Sequence, residues 1–135
     1  MRTQHRGELG RAGEDLAAAH LEACGLDILE RNWRDGRRGE IDIVAWDPGS
    51  SAVVICEVKT RIGIRFGTPL EAVGPDKLAR LRRLARAWLM AHDVHGGVRF
   101  DVVGVTLPRT PTDEGDAVGA GIGAARLEWV RGVTP

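Results

Sequence analysis

The chain has 135 residues, 43% of them hydrophobic and 28% charged, values that fit one globular domain with its own core and exclude a disordered or low-complexity chain. Its 19 Lys and Arg balance 19 Asp and Glu, so no net positive field points to nucleic acid, and such a partner has to be argued from local charge. Two cysteines at unrelated positions, a polar opening stretch without an apolar leader, and no apolar run of the roughly 18 residues a span needs exclude a disulfide framework and a transmembrane helix; the expectation is a cytoplasmic protein with no membrane partner.

Residues 8–24 are alanine-rich and place Leu9, Ala12, Leu16, Ala19 and Cys24 at helical spacing, which predicts a first helix with those residues facing the core and Gly25 as its C-cap. Leu26 to Trp33 alternates loosely and reads as a strand, followed by a polar turn from Arg34 to Gly39. Strands are expected at 40–46 and 52–60, joined by Asp47-Pro48-Gly49-Ser50, a strong turn sequence. Residues 61–76 hold three glycines and two prolines without periodicity and read as a loop. Asp76 is placed to cap a second helix reaching about residue 91, with Leu78, Leu81, Leu84, Ala85, Trp88 and Leu89 on its apolar face. A strand is expected from Val98 to Leu107, then a flexible loop at 108–124, then a short closing strand from Ala125 to Val130. Adjacent strands with tight turns, followed by a helix and a further strand, imply a mixed sheet within one domain spanning 1–135.

Three charged residues stand inside the apolar strand runs. Glu57 and Lys59 alternate with Val58 and therefore project from one face of their strand, and Asp42 on the preceding strand comes beside Glu57 if the two pair as a hairpin. Two carboxylates and an ammonium at one place make a divalent-metal site suited to cutting phosphodiesters. Lys59 carries extra weight because, among 19 basic residues, only Lys59 and Lys77 are lysine, and a lysine kept in an arginine background marks a place for a compact, titratable ammonium. Glu40 shares the face of Asp42 but begins the strand and is a weaker candidate.

The remaining cations fall in clusters. Arg31, Arg34, Arg37 and Arg38 precede Asp42; Lys77, Arg80, Arg82, Arg83 and Arg86 form the polar face of the second helix; Arg61 and Arg65 follow Lys59 directly. Such residues would make sequence-independent, salt-sensitive phosphate contacts. Trp33 is read as a core residue. Asp101, alternating with apolar neighbours, is read as an edge-facing charge or a partner behind the metal ligands. Gly119-Ala120-Gly121-Ile122-Gly123 has no strand before it and no helix after it, and His92 and His95 lack a third ligand nearby, so neither dinucleotide nor zinc binding is read from them.

In order along the chain, Gly13-Glu14, Arg31-Asn32-Trp33-Arg34, Gly39-Glu40-Ile41-Asp42, Glu57-Val58-Lys59-Thr60-Arg61, Phe66-Gly67, Lys77 and Arg99-Phe100-Asp101-Val102 resemble the YraN-like family of bacterial proteins, grouped with restriction-endonuclease-like folds and archaeal Holliday junction resolvases. The resemblance covers roughly residues 8–107. It implies an αβββαβ core with a mixed sheet flanked by helices and the PD-(D/E)xK signature at Asp42, Glu57 and Lys59. It further implies Glu14 as a helix-borne acid, and Mg2+ or Mn2+ held by Asp42, Glu57 and the Val58 carbonyl. The expected function is metal-dependent endonuclease action on DNA. The alternative is a nucleic-acid-binding module on the same fold with little or no turnover. By analogy with junction-cutting relatives of the fold, a homodimer is the expected assembly.

Overall fold

A computed structural model describes residues 2–63, 73–108 and 125–133, with side chains from residue 7 onward. In chain order the elements are α1 (Arg2–Ala23), β1 (Asp27–Arg34), β2 (Glu40–Asp47), β3 (Ala52–Ile62), α2 (Pro75–His92), β4 (Gly97–Leu107) and β5 (Arg126–Val130). The five strands form one sheet in the order β1-β2-β3-β4-β5. β3 and β4 are parallel, joined across α2, and every other pair is antiparallel. This is the expected αβββαβ arrangement with a mixed sheet, extended by β5.

β3 is the centre of the core because both its faces are covered, which is why Val53-Val54-Ile55-Cys56 is an unbroken apolar run. Val54 and Cys56 join Ile43, Val103 and Val105 beneath Ala17, Ala18 and Leu21 of α1. Val53 and Ile55 join Ile41 and Val44 beneath Leu81, Leu84, Ala85 and Trp88 of α2. Trp33 packs at the edge of that second cluster, in keeping with its reading as a core residue. Trp88 also ties α2 to the edge strand, its Nε1 donating to Glu30 Oε1 at 2.9 Å.

α1 ends as its sequence predicts and faces the sheet differently. Gly25 takes φ +98°, a left-handed conformation open to a residue without a Cβ. Its N–H donates to the Glu22 carbonyl and the Leu26 N–H to the Leu21 carbonyl, both at 3.0 Å. These are the paired bonds of a Schellman ending, with Leu21 and Leu26 buried in one cluster. The expected core face is corrected: Leu16 is 36% exposed, Ala12, Ala19 and Cys24 are exposed as well, and Leu9 is half-buried. The buried face runs through Gly13, Ala17, Ala18 and Leu21 instead. In an alanine-rich helix the side chains differ too little in volume to choose a face, and close backbone approach decides. Gly13 lies so near Thr60 of β3 that a Cβ there would collide with the threonine side chain.

Two further boundaries differ. α2 begins at Pro75 with Gly74 as its N-cap and no capping side chain, so Asp76 is not the cap but a first-turn acid favoured by the positive end of the helix dipole. β3 continues to Ile62, which puts Arg61 on the strand rather than in the loop. Asp101 is not an edge-facing charge, and its hydrogen-bond partners are Arg99, Trp129 and Gly132 rather than the metal candidates. It is 1% exposed, takes a bidentate pair from Arg99 at 2.9 Å, and accepts the Trp129 Nε1–H at 2.9 Å and the Gly132 N–H at 3.0 Å, which staples β5 and the segment after it to β4. The expected loop at 108–124, the glycine string within it and Arg65 lie outside the described residues, apart from Pro108. Among the described residues no helix is long and apolar enough to cross a membrane.

Candidate metal and catalytic site

The site forms where β2 and β3 part. Their ladder runs to the Ile43–Cys56 pair, and beyond it Asp42 Oδ2 accepts the Val58 N–H at 2.8 Å. The Asp42 carboxylate is thereby anchored between the strands. Glu57 follows Cys56 on the other side of the gap, in the position the hairpin argument gives it, and is 7% exposed. Lys59, two residues on along β3, is exposed and lines the same cleft as Glu14, Asp42 and Glu57.

Two more acids approach Asp42. Glu14 comes from α1, seated by the Gly13–Thr60 contact next to it, and Glu40 comes from the start of β2. Carboxylate oxygens of Glu14, Glu40 and Asp42 all lie within 4.8 Å of one another. Asn32 of β1 holds two of them in place: its Nδ2 donates to Glu14 Oε1 at 2.8 Å and to Glu40 Oε2 at 3.0 Å, using both of its amide hydrogens. The Asn32 backbone is left-handed, φ +53°, a conformation asparagine tolerates better than most residues.

Crowding of this kind raises the cost of charge. Burial, and after it the charge of Glu57, pushes Asp42 up to about 8 from the ordinary carboxylate range, against the opposing help of the Val58 N–H. Burial also raises Glu14, with Glu40 adding to it and the Asn32 bond working the other way. An all-oxygen set of three carboxylates that repel one another is the donor chemistry of a hard divalent cation, so these residues fit Mg2+ or Mn2+. Glu57 stands beside this trio with a different partner, Lys77 Nζ, at 2.6 Å from Oε2.

The basic residues divide by what they touch. Arg34 pairs with Glu40 at 3.2 Å, and Arg31 with Asp15 at 2.7 Å and Glu14 at 3.8 Å, so both serve the acids. Arg80 lines the acidic cleft, a space of about 210 Å³ that also contains Glu40, Asp42, Glu57 and Lys77. A second cleft, lined by Asp35, Arg38, Arg80, Arg83 and Leu84, shares Arg80 and Leu84 with the first, so arginines continue from the carboxylates, Arg38 among them paired with Asp35 at 3.4 Å. Arg37, Arg82 and Arg86 are exposed.

The model of the Uncharacterised protein family UPF0102 matches residues 13–105, a span that starts at the Gly13 contact and takes in every carboxylate of the site. The chain belongs to the UPF0102 family. A UPF0102 protein of Streptomyces coelicolor is 51% identical over 130 residues, covering 95% of this chain and 89% of the relative. Those of Streptomyces griseus and Frankia casuarinae are 58% identical over 106 residues and 48% identical over 125 residues, covering 77% and 92% of this chain and 87% and 93% of the relatives. In this UPF0102 chain strand alternation and hairpin pairing mark Asp42, Glu57 and Lys59, with the arginine background adding weight to Lys59. Asn32, which stands between Arg31 and Trp33 in a loosely alternating strand, carries no local signal of its role, and neither does the full share of Glu40 in the carboxylate group.

Proposed function

We propose that this protein is a divalent-metal-dependent nuclease that hydrolyses phosphodiester bonds in DNA. The observation that carries the reading is the convergence of Glu14, Glu40 and Asp42 within 4.8 Å, next to Glu57 and Lys59 and at the foot of an arginine-lined cleft. Asp42 with Glu14 and Glu40 would hold Mg2+ or Mn2+, with Glu57 and the Val58 carbonyl as the further donors on β3. Bound there, the cation supplies neutralisation of the phosphoryl charge and a more acidic water. Lys59, exposed and without an ion-pair partner among the described residues, would orient the attacking water or steady the negative phosphorane. Arg38, Arg80 and Arg83, with Arg37 alongside, would take backbone phosphates and leave the bases unread.

The pairing of Glu57 with Lys77 favours one other reading, a nucleic-acid-binding module whose metal site does not turn over. Incubation of wild type, Asp42→Ala and Glu57→Ala with branched and linear DNA in Mg2+ or Mn2+ separates the two. Cleavage by wild type alone, with binding kept in the variants, supports the nuclease. Binding without cleavage in all three supports the module, and equal traces of cleavage in all three indicate a contaminant.

A further inference from the structure

The chain contains two lysines among 19 basic residues; Lys59 lines a cleft with Glu57, and Lys77 pairs with it. Lys59 shares its strand face, and Lys77 closes on its carboxylate at 2.6 Å. Lys77 reaches it from the first turn of α2, where the helix dipole disfavours a positive charge. A cation kept at that end of a helix has its justification in Glu57, whose side chain is 9% exposed and for which Lys77 is the one ion-pair partner among the described residues. Lys77 itself is 33% exposed, so its ammonium reaches water by rotation of a flexible stem without any movement of α2.

We propose that Lys77 is an internal counter-cation of Glu57 that holds this carboxylate in the metal-free protein and yields it to a divalent cation. The inference rests on the metal-site reading above and adds a regulatory step to it. Lys77 and the cation compete for one carboxylate, so Glu57 joins Asp42 as a donor when the ammonium leaves. The released ammonium remains in the cleft shared with Arg80, within the space a phosphate would enter. Arginine would serve this purpose badly, because its planar fork grips a carboxylate with two bonds and gives it up less readily. That difference accounts for a lysine here in a chain that uses arginine almost everywhere else.

The test is a calorimetric titration of Mn2+ into wild type, Lys77→Gln and Lys77→Arg at one fixed pH without nucleic acid, with melting curves confirming that each is folded. Lys77→Gln is expected to bind Mn2+ roughly 3- to 10-fold more tightly than wild type, and Lys77→Arg to bind it more weakly by a similar factor. In a Glu57→Gln background both effects should vanish. Unchanged or weaker binding by Lys77→Gln, or unchanged binding by Lys77→Arg, overturns the proposal while binding that depends on Asp42 leaves the metal site standing. Loss of Mn2+ binding from wild type and Lys77→Gln alike would overturn both.

Discussion

Asp42 is held where its charge is costly, and that has consequences in the metal-free protein. Its carboxyl is raised from an ordinary value of 3.8 to about 8 by burial and by Glu57. Between those values the folded chain holds a proton that the unfolded chain has lost, so this group's stabilising contribution is complete below 3.8 and is lost as pH rises through about 8. Asp42→Asn keeps an oxygen for the Val58 N–H and removes the charge. It should melt higher than wild type at pH 8, with each kcal/mol gained worth roughly 3–6 °C in a domain of this size, and should lose Mn2+ binding. A lower melting temperature for the asparagine variant would contradict the burial argument. Metal binding must displace the same proton, so Mn2+ affinity should climb by about tenfold per pH unit below the midpoint and level off above it. At this scale the strand residues were legible because alternation is local. Asn32 and the Lys77–Glu57 pair were not, since each depends on which distant elements pack together.

α1 shows how an element can be predicted correctly and oriented wrongly. Its existence and its Gly25 ending follow from propensity and backbone freedom, both properties of the segment itself, although it starts at Arg2, six residues before the expected residue 8. Its buried face follows from a contact with Thr60 on β3, which no periodicity within the helix reveals. In an isolated helix Gly13→Ala would stabilise by about 1 kcal/mol. Here the added methyl meets Thr60, and the variant should instead be less stable by about 1–3 kcal/mol. Glu14 is the next residue, so a displaced α1 also loosens the carboxylate group and Mn2+ affinity should fall with stability. Adding Thr60→Ala removes the nearest atoms and should recover part of both. A Gly13→Ala protein that melts higher than wild type would show that the close approach does not set the helix position.

Across the whole molecule the charges sum to zero, yet they are sorted: acids gather where β2 and β3 part, and Arg38, Arg80 and Arg83 line the adjoining cleft. Replacing Arg80 and Arg83 together by alanine should weaken DNA binding evenly across sequences and reduce the salt slope of binding by about 2. A sequence-dependent loss would mean that these residues read bases. The mixed sheet and the basic face were legible from element order and helical spacing; the strand order was not. The anchoring of β5 through Asp101, Arg99 and Trp129 was not, because it joins residues on either side of a long patternless stretch. On the proposed reading Asp42 and its neighbours form a divalent-cation site. Calorimetric titration of Mn2+ into wild type and Asp42→Ala tests it most directly. Saturable binding by wild type, lost in a folded Asp42→Ala protein, is the predicted result; equal heats from the two proteins, or none from either up to millimolar Mn2+, would contradict it.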